Sequence, residues 1–125
     1  MKREYPERPL VGVGAVIVEG ERAVLVRRSA EPMAGEWSIP GGLVELGETM
    51  RAGAAREVLE ETGLQVEAGE VLEVLDRIVP DANGKPRFHY VLIDFLCRRV
   101  AGELRAGGDA AEARWVREQE LGGWV

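Results

Sequence analysis

The stretch Pro40-Gly41-Gly42-Leu43-Val44-Glu45-Leu46-Gly47-Glu48-Thr49-Met50-Arg51-Ala52-Gly53-Ala54-Ala55-Arg56-Glu57-Val58-Leu59-Glu60-Glu61-Thr62-Gly63-Leu64 carries the clearest local signal in the chain. Thr49 is suited to N-cap a helix, because its hydroxyl can accept from an N–H of the first turn. From Met50 to Thr62, the residues Ala54, Ala55, Val58 and Leu59 recur at helical spacing and predict one apolar stripe facing a core. Gly63 ends the helix as its C′ residue. Upstream, Trp37-Ser38-Ile39 is a short extended piece stopped by Pro40. Gly41-Gly42 then gives the backbone unusual freedom, and a loop runs to Glu48.

Strands flank this helix on both sides. Residues 10–18 alternate Val11, Val13, Ala15 and Ile17 against Gly12, Gly14, Val16 and Val18, a strand expected to be buried on both faces. A turn at 19–22 and a second strand at 23–28 predict an antiparallel hairpin, and the polar residues 29–36 predict a loop. Beyond the helix, residues 66–79 are strand-like with a break at Ala68-Gly69. Residues 80–86 are dense in turn formers, and residues 88–100 are the strongest strand signal, so the two strands form a long hairpin. A turn-rich stretch, a short strand at 113–116 and a brief helix from Arg117 to Leu121 complete the chain. This order of elements predicts an α/β fold, a central sheet covered by helices on its faces. With 125 residues and no internal repeat, one domain over residues 1–125 is expected.

Composition narrows the function. The chain is 46% apolar and 30% charged, in the range of soluble globular proteins. Its 16 basic and 22 acidic residues leave a net charge of -6, which repels a nucleic-acid backbone and argues against polymeric DNA or RNA as a partner. Cys97 is the single cysteine, so no intrachain disulfide forms, and a reduced, cytoplasmic setting is expected. No apolar run approaches bilayer length and the basic start is followed by no apolar core, so no membrane association is expected.

Glu57, Glu60 and Glu61 stand at i, i+3 and i+4 and share a helix face. Such a patch is either a solvated acidic surface or a site whose repulsion a divalent cation relieves. Its setting decides between them. Gly42, five residues, Glu48, seven residues and then Arg56-Glu57-Val58-Leu59-Glu60-Glu61-Thr62-Gly63-Leu64 matches all nine specified positions of G-x5-E-x7-R-E-U-x-E-E-x-G-U (U aliphatic) within a 23-residue window. The chain thus resembles the Nudix hydrolase (MutT-like) family, and a chance match of that length is improbable.

The resemblance implies an α/β/α sandwich with a central mixed β-sheet and hydrolysis of a pyrophosphate bond in a nucleotide-derived small molecule. It implies that Glu57, Glu60 and Glu61 hold Mg²⁺ or Mn²⁺, with the Gly41 carbonyl as a further ligand. Arg56 would orient the acids by pairing with Glu57 or Glu48, Gly42 would let the loop turn, and Gly63 would end the helix. Hard oxygen ligands suit these ions, and the catalysis such ions support is largely electrostatic.

Outside the motif, Glu112 stands where the family often has a loop carboxylate, a fourth metal ligand or general base, with Asp109 as the alternative and a solvated acid as the plain reading. Arg27 and Arg28 end a strand near the expected site and suit phosphate oxygens or bulk solvent equally. Trp37 either stacks on a base or, as large aromatics commonly do, fills core. His89 is expected to be structural or to touch substrate. The short C-terminus leaves a sheet face to be covered, by a homodimer contact or by Trp124 and Val125 packing back. Compact ADP-ribose pyrophosphatases are the most similar subgroup, so ADP-ribose, cleaved to AMP and ribose 5-phosphate, ranks first. Oxidised guanine nucleoside triphosphates and diadenosine polyphosphates follow. Only Arg27 and Arg28 cluster as cations near the expected site, which favours the less charged diphosphate. A non-catalytic nucleotide-binding module would show a damaged motif, and here the motif is complete.

Overall fold

Thr49 caps α1 (Met50–Thr62), its hydroxyl accepting from the Ala52 N–H at 3.1 Å, and Gly63 closes the helix in the left-handed region at φ 74°. The computed structural model describes residues 2–30, 34–117 and 119–120. Ahead of α1 lie β1 (Leu10–Glu19), β2 (Arg22–Arg28), β3 (Trp37–Ser38) and β4 (Gly41–Leu43), and after it β5 (Gln65–Pro80), β6 (Pro86–Ala101) and β7 (Ala110–Arg117). The fold is mixed α/β, as the element order implied. Among the described residues α1 is the one α-helix; where a helix was expected from Arg117 to Leu121, Arg117 instead ends β7 and Gln119-Glu120 form a short 3₁₀ turn, while Glu118 and Leu121 lie outside the described residues, as do Trp124 and Val125.

The predicted β1–β2 hairpin forms, but the strands pair only at Val18↔Ala23 and Glu19↔Arg22 before they part. β1 then runs parallel to β6 and antiparallel to β4, while β2 pairs with β3 and β7. Two wings result, joined at the hairpin: β4-β1-β6-β5 and β3-β2-β7. β5 and β6 form the long predicted hairpin. The expected break at Ala68-Gly69 is instead a register shift within one strand, because an irregularity in one strand of an antiparallel pair bends the ladder without ending it.

Residues 41–43, expected to be loop, are a strand against β1, pairing Gly14↔Gly41, Val13↔Gly42 and Gly12↔Leu43. Neither Gly41 nor Gly42 has a positive φ. They are glycines for close approach: a Cβ on Gly41 would overlap the Val13 carbonyl. The sheet faces differ in kind. Val13, Ala15, Ile17, Ile93, Phe95 and Cys97 form the core with Ala54 and Val58 of α1, whereas Gly12, Gly14, Leu92 and Asp94 open onto a cleft. β1 is not buried throughout; Val11 and Val18 are exposed. No described helix is long and apolar enough to cross a membrane.

Phe95 is fully buried, with the Arg51 guanidinium 5.0 Å from its ring centroid. Phe95→Ala is expected to cost about 3–5 kcal/mol of stability through lost burial and a residual cavity. Urea denaturation with an unchanged slope measures this, and a loss under about 1 kcal/mol would show that α1 does not rest on this contact.

Candidate active site

The last carbonyls of a helix lack intrahelical partners and recruit donors from elsewhere. Here the Arg105 N–H donates to the Thr62 carbonyl at 2.8 Å and the Gly107 N–H to the Glu61 carbonyl at 3.1 Å. The segment from residue 105 to residue 109 is thereby seated on the C-terminal end of α1. Ser29 fastens it from the other side, its N–H and hydroxyl both donating to the Asp109 carbonyl. Asp109 then lies close enough to Glu57 and Glu61 for its charge to raise the pKa of both.

Arg56 organises the acids. Its Nε donates to Glu48 at 2.7 Å, one terminal nitrogen donates to Glu57 at 2.8 Å, and the other donates to Glu48 and to the Leu43 carbonyl, both at 3.0 Å. Both pairings expected of Arg56 therefore form at once. The guanidinium, helped by the Glu45 N–H, pulls the Glu48 carboxyl down to about 2. Glu48 is thus a fixed anion that locks the loop before α1 and keeps Arg56 in place.

Glu57 and Glu61 meet the opposite fate. Burial raises the pKa of Glu57, against the pull of Arg56. Glu61 is 4% exposed, and burial, with repulsion from Glu57 and Asp109, lifts it to about 7. The Gly41 N–H donates to Glu61 Oε1 at 3.0 Å and, with the charge of Arg28, opposes this. Gly42 has a different role from the flexible turn expected of it: a Cβ there would overlap the Glu57 carboxylate, so only glycine leaves room for that side chain. Glu60 stands outside the pair, half exposed, 3.4 Å from Arg56.

Among the described residues no three acidic, histidine or cysteine side chains converge into a ready-made cation cage. The structure presents two hard-oxygen donors, Glu57 and Glu61, whose ionised forms are disfavoured by burial and by each other. That donor chemistry fits a hard divalent cation, which would reverse both penalties. The contact Gly41 makes with the acids is through its N–H.

Glu112 is not brought to these acids. It lies on β7, in register with Arg27, and its carboxylate pairs with Arg27 at 2.9 Å and Arg114 at 3.1 Å, which lowers its pKa. The expected short strand is longer, so Glu112 is held in the sheet and the loop carboxylate facing the motif is Asp109. Arg27 is committed to Glu112, while its neighbour Arg28 lines the cleft. Trp37 is half-buried opposite Arg27, with Arg114 5.8 Å from its ring, and lies outside the cleft lining, as does His89.

The cleft, about 230 Å³, lies on the face of the β4-β1-β6-β5 wing away from α1. Strand register arranges its floor in rows: Tyr90 beside Arg77, then Gly12, Leu92 and Leu75, then Gly14 and Asp94. Arg3 and Arg28 also line it. The cations lining the cleft are therefore Arg3, Arg28 and Arg77, and of the neighbours Arg27 and Arg28 only the second is among them; Arg77 arrives through β5–β6 register and Arg3 from the N-terminal segment. Asp94, with a pKa raised by burial and by Glu73, also escaped the sequence reading. Its signal was an acid interrupting the apolar alternation Phe88, Tyr90, Leu92. Arg3 and Arg77 left no such local mark.

Known proteins share this architecture. The family model for the NUDIX domain matches residues 8–124. The chain is 38% identical over 107 residues to the ADP-ribose pyrophosphatase of Methanocaldococcus jannaschii, covering 86% of this chain and 61% of that protein. It is 32% identical over 108 residues to a MutT-like protein of Streptomyces ambofaciens, covering 86% of this chain and 63% of that protein. The chain thus spans about three fifths of the length of these two relatives. The crystal structure of a MutT NUDIX hydrolase from Burkholderia pseudomallei superposes with a TM-score of 0.77 at 34% identity, over 89% of this chain and 84% of that one. The family match runs through every strand and the helix that build the acid pair and the cleft, and the chain belongs to the NUDIX domain family.

Proposed function

We propose that this chain hydrolyses the pyrophosphate bond of a nucleoside diphosphate linked to another group, with ADP-ribose cleaved to AMP and ribose 5-phosphate as its reaction. The observation that carries this reading is the pair Glu57 and Glu61, both pushed toward the neutral form by burial and held against Gly41 and Gly42 of β4, two glycines that also line the cleft with its arginines. The M. jannaschii relative, named as an ADP-ribose pyrophosphatase, supports the substrate.

In this reading Glu57, Glu61 and the more exposed Glu60 hold Mg²⁺ or Mn²⁺, joined by the Gly41 carbonyl. When bound, such an ion supplies positive charge where negative charge builds on the bridging phosphate oxygens. The chain's own groups do the rest. Arg56 and the Gly41 N–H hold the two carboxylates at fixed angles. Arg28, whose charge reaches Glu61, meets a phosphate oxygen. Asp109, seated by the end of α1, takes the proton-accepting role first expected of Glu112. A second reading, an oxidised guanine nucleoside triphosphate, draws support from the third cleft arginine, since more cations accommodate more phosphate charge.

Side-by-side kcat/KM values at fixed magnesium decide between them. ADP-ribose is expected to exceed any nucleoside triphosphate or diadenosine polyphosphate by at least about tenfold, or about 1.4 kcal/mol of transition-state binding. A triphosphate that wins overturns the substrate and keeps the reaction class; silence across the panel with magnesium present favours a binding module.

Glu57→Gln and Glu61→Gln are each expected to lower kcat at least about a hundredfold with the fold intact. Asp109→Asn should lower it at least about tenfold, while Glu112→Gln leaves it within about twofold. Steady-state kinetics with saturating magnesium checks this. Full activity in both glutamate variants refutes the ion site, and impaired Glu112→Gln beside normal Asp109→Asn returns the proton-accepting role to Glu112.

Without metal, Glu61 also makes stability depend on pH. Its folded pKa, about 7, lies above the ordinary 4.5, so the folded state binds the proton more tightly. The stability this confers is full below about pH 4.5 and is lost as pH rises through about 7, by about 3 kcal/mol at most. Urea denaturation in EDTA across that window should show the decline in the wild-type chain and a flatter profile in Glu61→Gln. Parallel profiles would exclude the effect.

A further inference from the structure

Among the described residues, the Tyr90 hydroxyl is the buried side-chain polar atom without a hydrogen-bond partner. Tyr90 is 7% exposed, packs beside Phe88 with ring centroids 6.4 Å apart, and lines the cleft. A phenylalanine would fill the same space without burying an unmet polar group. An uncompensated hydroxyl of this kind is costly, so its presence calls for a partner that binds from outside the fold.

Its surroundings say which kind. Register sets Arg77 of β5 beside Tyr90 of β6. Arg3 and Arg28 are close enough for their charges to favour the phenolate, yet burial outweighs them and holds the phenol above its ordinary pKa. At neutral pH the group is therefore an O–H donor among guanidiniums. The carboxylate on the same strand face, Asp94, is four residues along β6, about 13 Å at strand rise, too far to accept from it. A donor hydroxyl ringed by cations complements an anionic oxygen. Arg28 also acts on Glu61, so this end of the cleft is electrostatically continuous with the acid pair.

We propose that Tyr90 is a substrate-binding residue whose O–H, with Arg3, Arg28 and Arg77 around it, donates to a phosphate oxygen of the substrate. This deepens the hydrolase reading and rests on it for the identity of the phosphate. The hydroxyl is buried, and the surrounding arginines are long side chains whose rotamers change readily on binding.

The test compares wild type with Tyr90→Phe by thermal melting in EDTA, alone and with AMP, ADP-ribose or inorganic pyrophosphate, followed by kinetics on ADP-ribose with magnesium. The unliganded variant is expected to melt no lower than wild type, because nothing in the fold loses a hydrogen bond. The ligand-induced rise in Tm should shrink, and KM should increase about tenfold with kcat within about twofold. A lower Tm in the unliganded variant would reveal a structural partner and overturn the proposal. Equal ligand-induced shifts in the two proteins, or no shift in wild type with any of the three ligands, would overturn it as well. Because melting needs neither metal nor turnover, a wild type that binds phosphate through Tyr90 yet hydrolyses nothing refutes the hydrolase reading alone.

Discussion

Two carboxylates one helical turn apart, both pressed into the protein, set the terms for the rest of this structure. Glu57 and Glu61 lose hydration and repel each other, and both are pushed toward the neutral form. A fold that keeps such a pair must supply compensation, because an unpaired buried charge is far more costly than a paired one. Arg56 provides it for Glu57 and the Gly41 N–H for Glu61. Arg56 in turn depends on Glu48 and on the Leu43 carbonyl, so the loop between β4 and α1 is folded back by the same requirement. The glycines answer a second one. β4 approaches β1 where side chains would collide, and Gly42 leaves the space that the Glu57 carboxylate occupies.

Net charge is a poor guide to what this surface attracts. The chain carries -6 overall, yet Arg3, Arg28 and Arg77 line the cleft, with an apolar row at its centre and Asp94 beyond it. The field a ligand meets is set by the nearest charges in a partly enclosed space, where screening by water is weakest. An anionic substrate and an acidic site are thus compatible: cations line the cleft on one face of the wing, and the acid pair lies on the helix side of β4.

Much of this was legible in the sequence. Thr49, the apolar stripe through Ala54 and Val58, and Gly63 act within one or two helical turns, so α1 followed from adjacent residues. The alternation in β6 and the turn formers before it foretold the long hairpin for the same reason. The motif spacing brought Glu48, Arg56 and Glu57 together through a single loop and helix. Glu57, Glu60 and Glu61, by contrast, looked equivalent on one face, and only burial against β4 separated a paired Glu57 and Glu61 from an exposed Glu60.

What adjacent residues could not decide was which of two candidates faces the site when the choice depends on register between distant strands. Arg27 and Arg28 are neighbours, yet pairing of β2 with β7 ties Arg27 to Glu112 and leaves Arg28 to the cleft. Asp109 and Glu112 are three residues apart, and the unmet carbonyls at the end of α1 seat one beside the acids while the β7 ladder holds the other in the sheet. Tyr90 meets Arg77 only because β5 and β6 align there. The sequence by itself determined the helix, its caps, the hairpins and the spacing of the acids, since each rests on contacts within a few residues. The tertiary structure decided which charges meet, because side-chain direction alternates along a strand and a one-residue change in pairing sends a side chain to the opposite face.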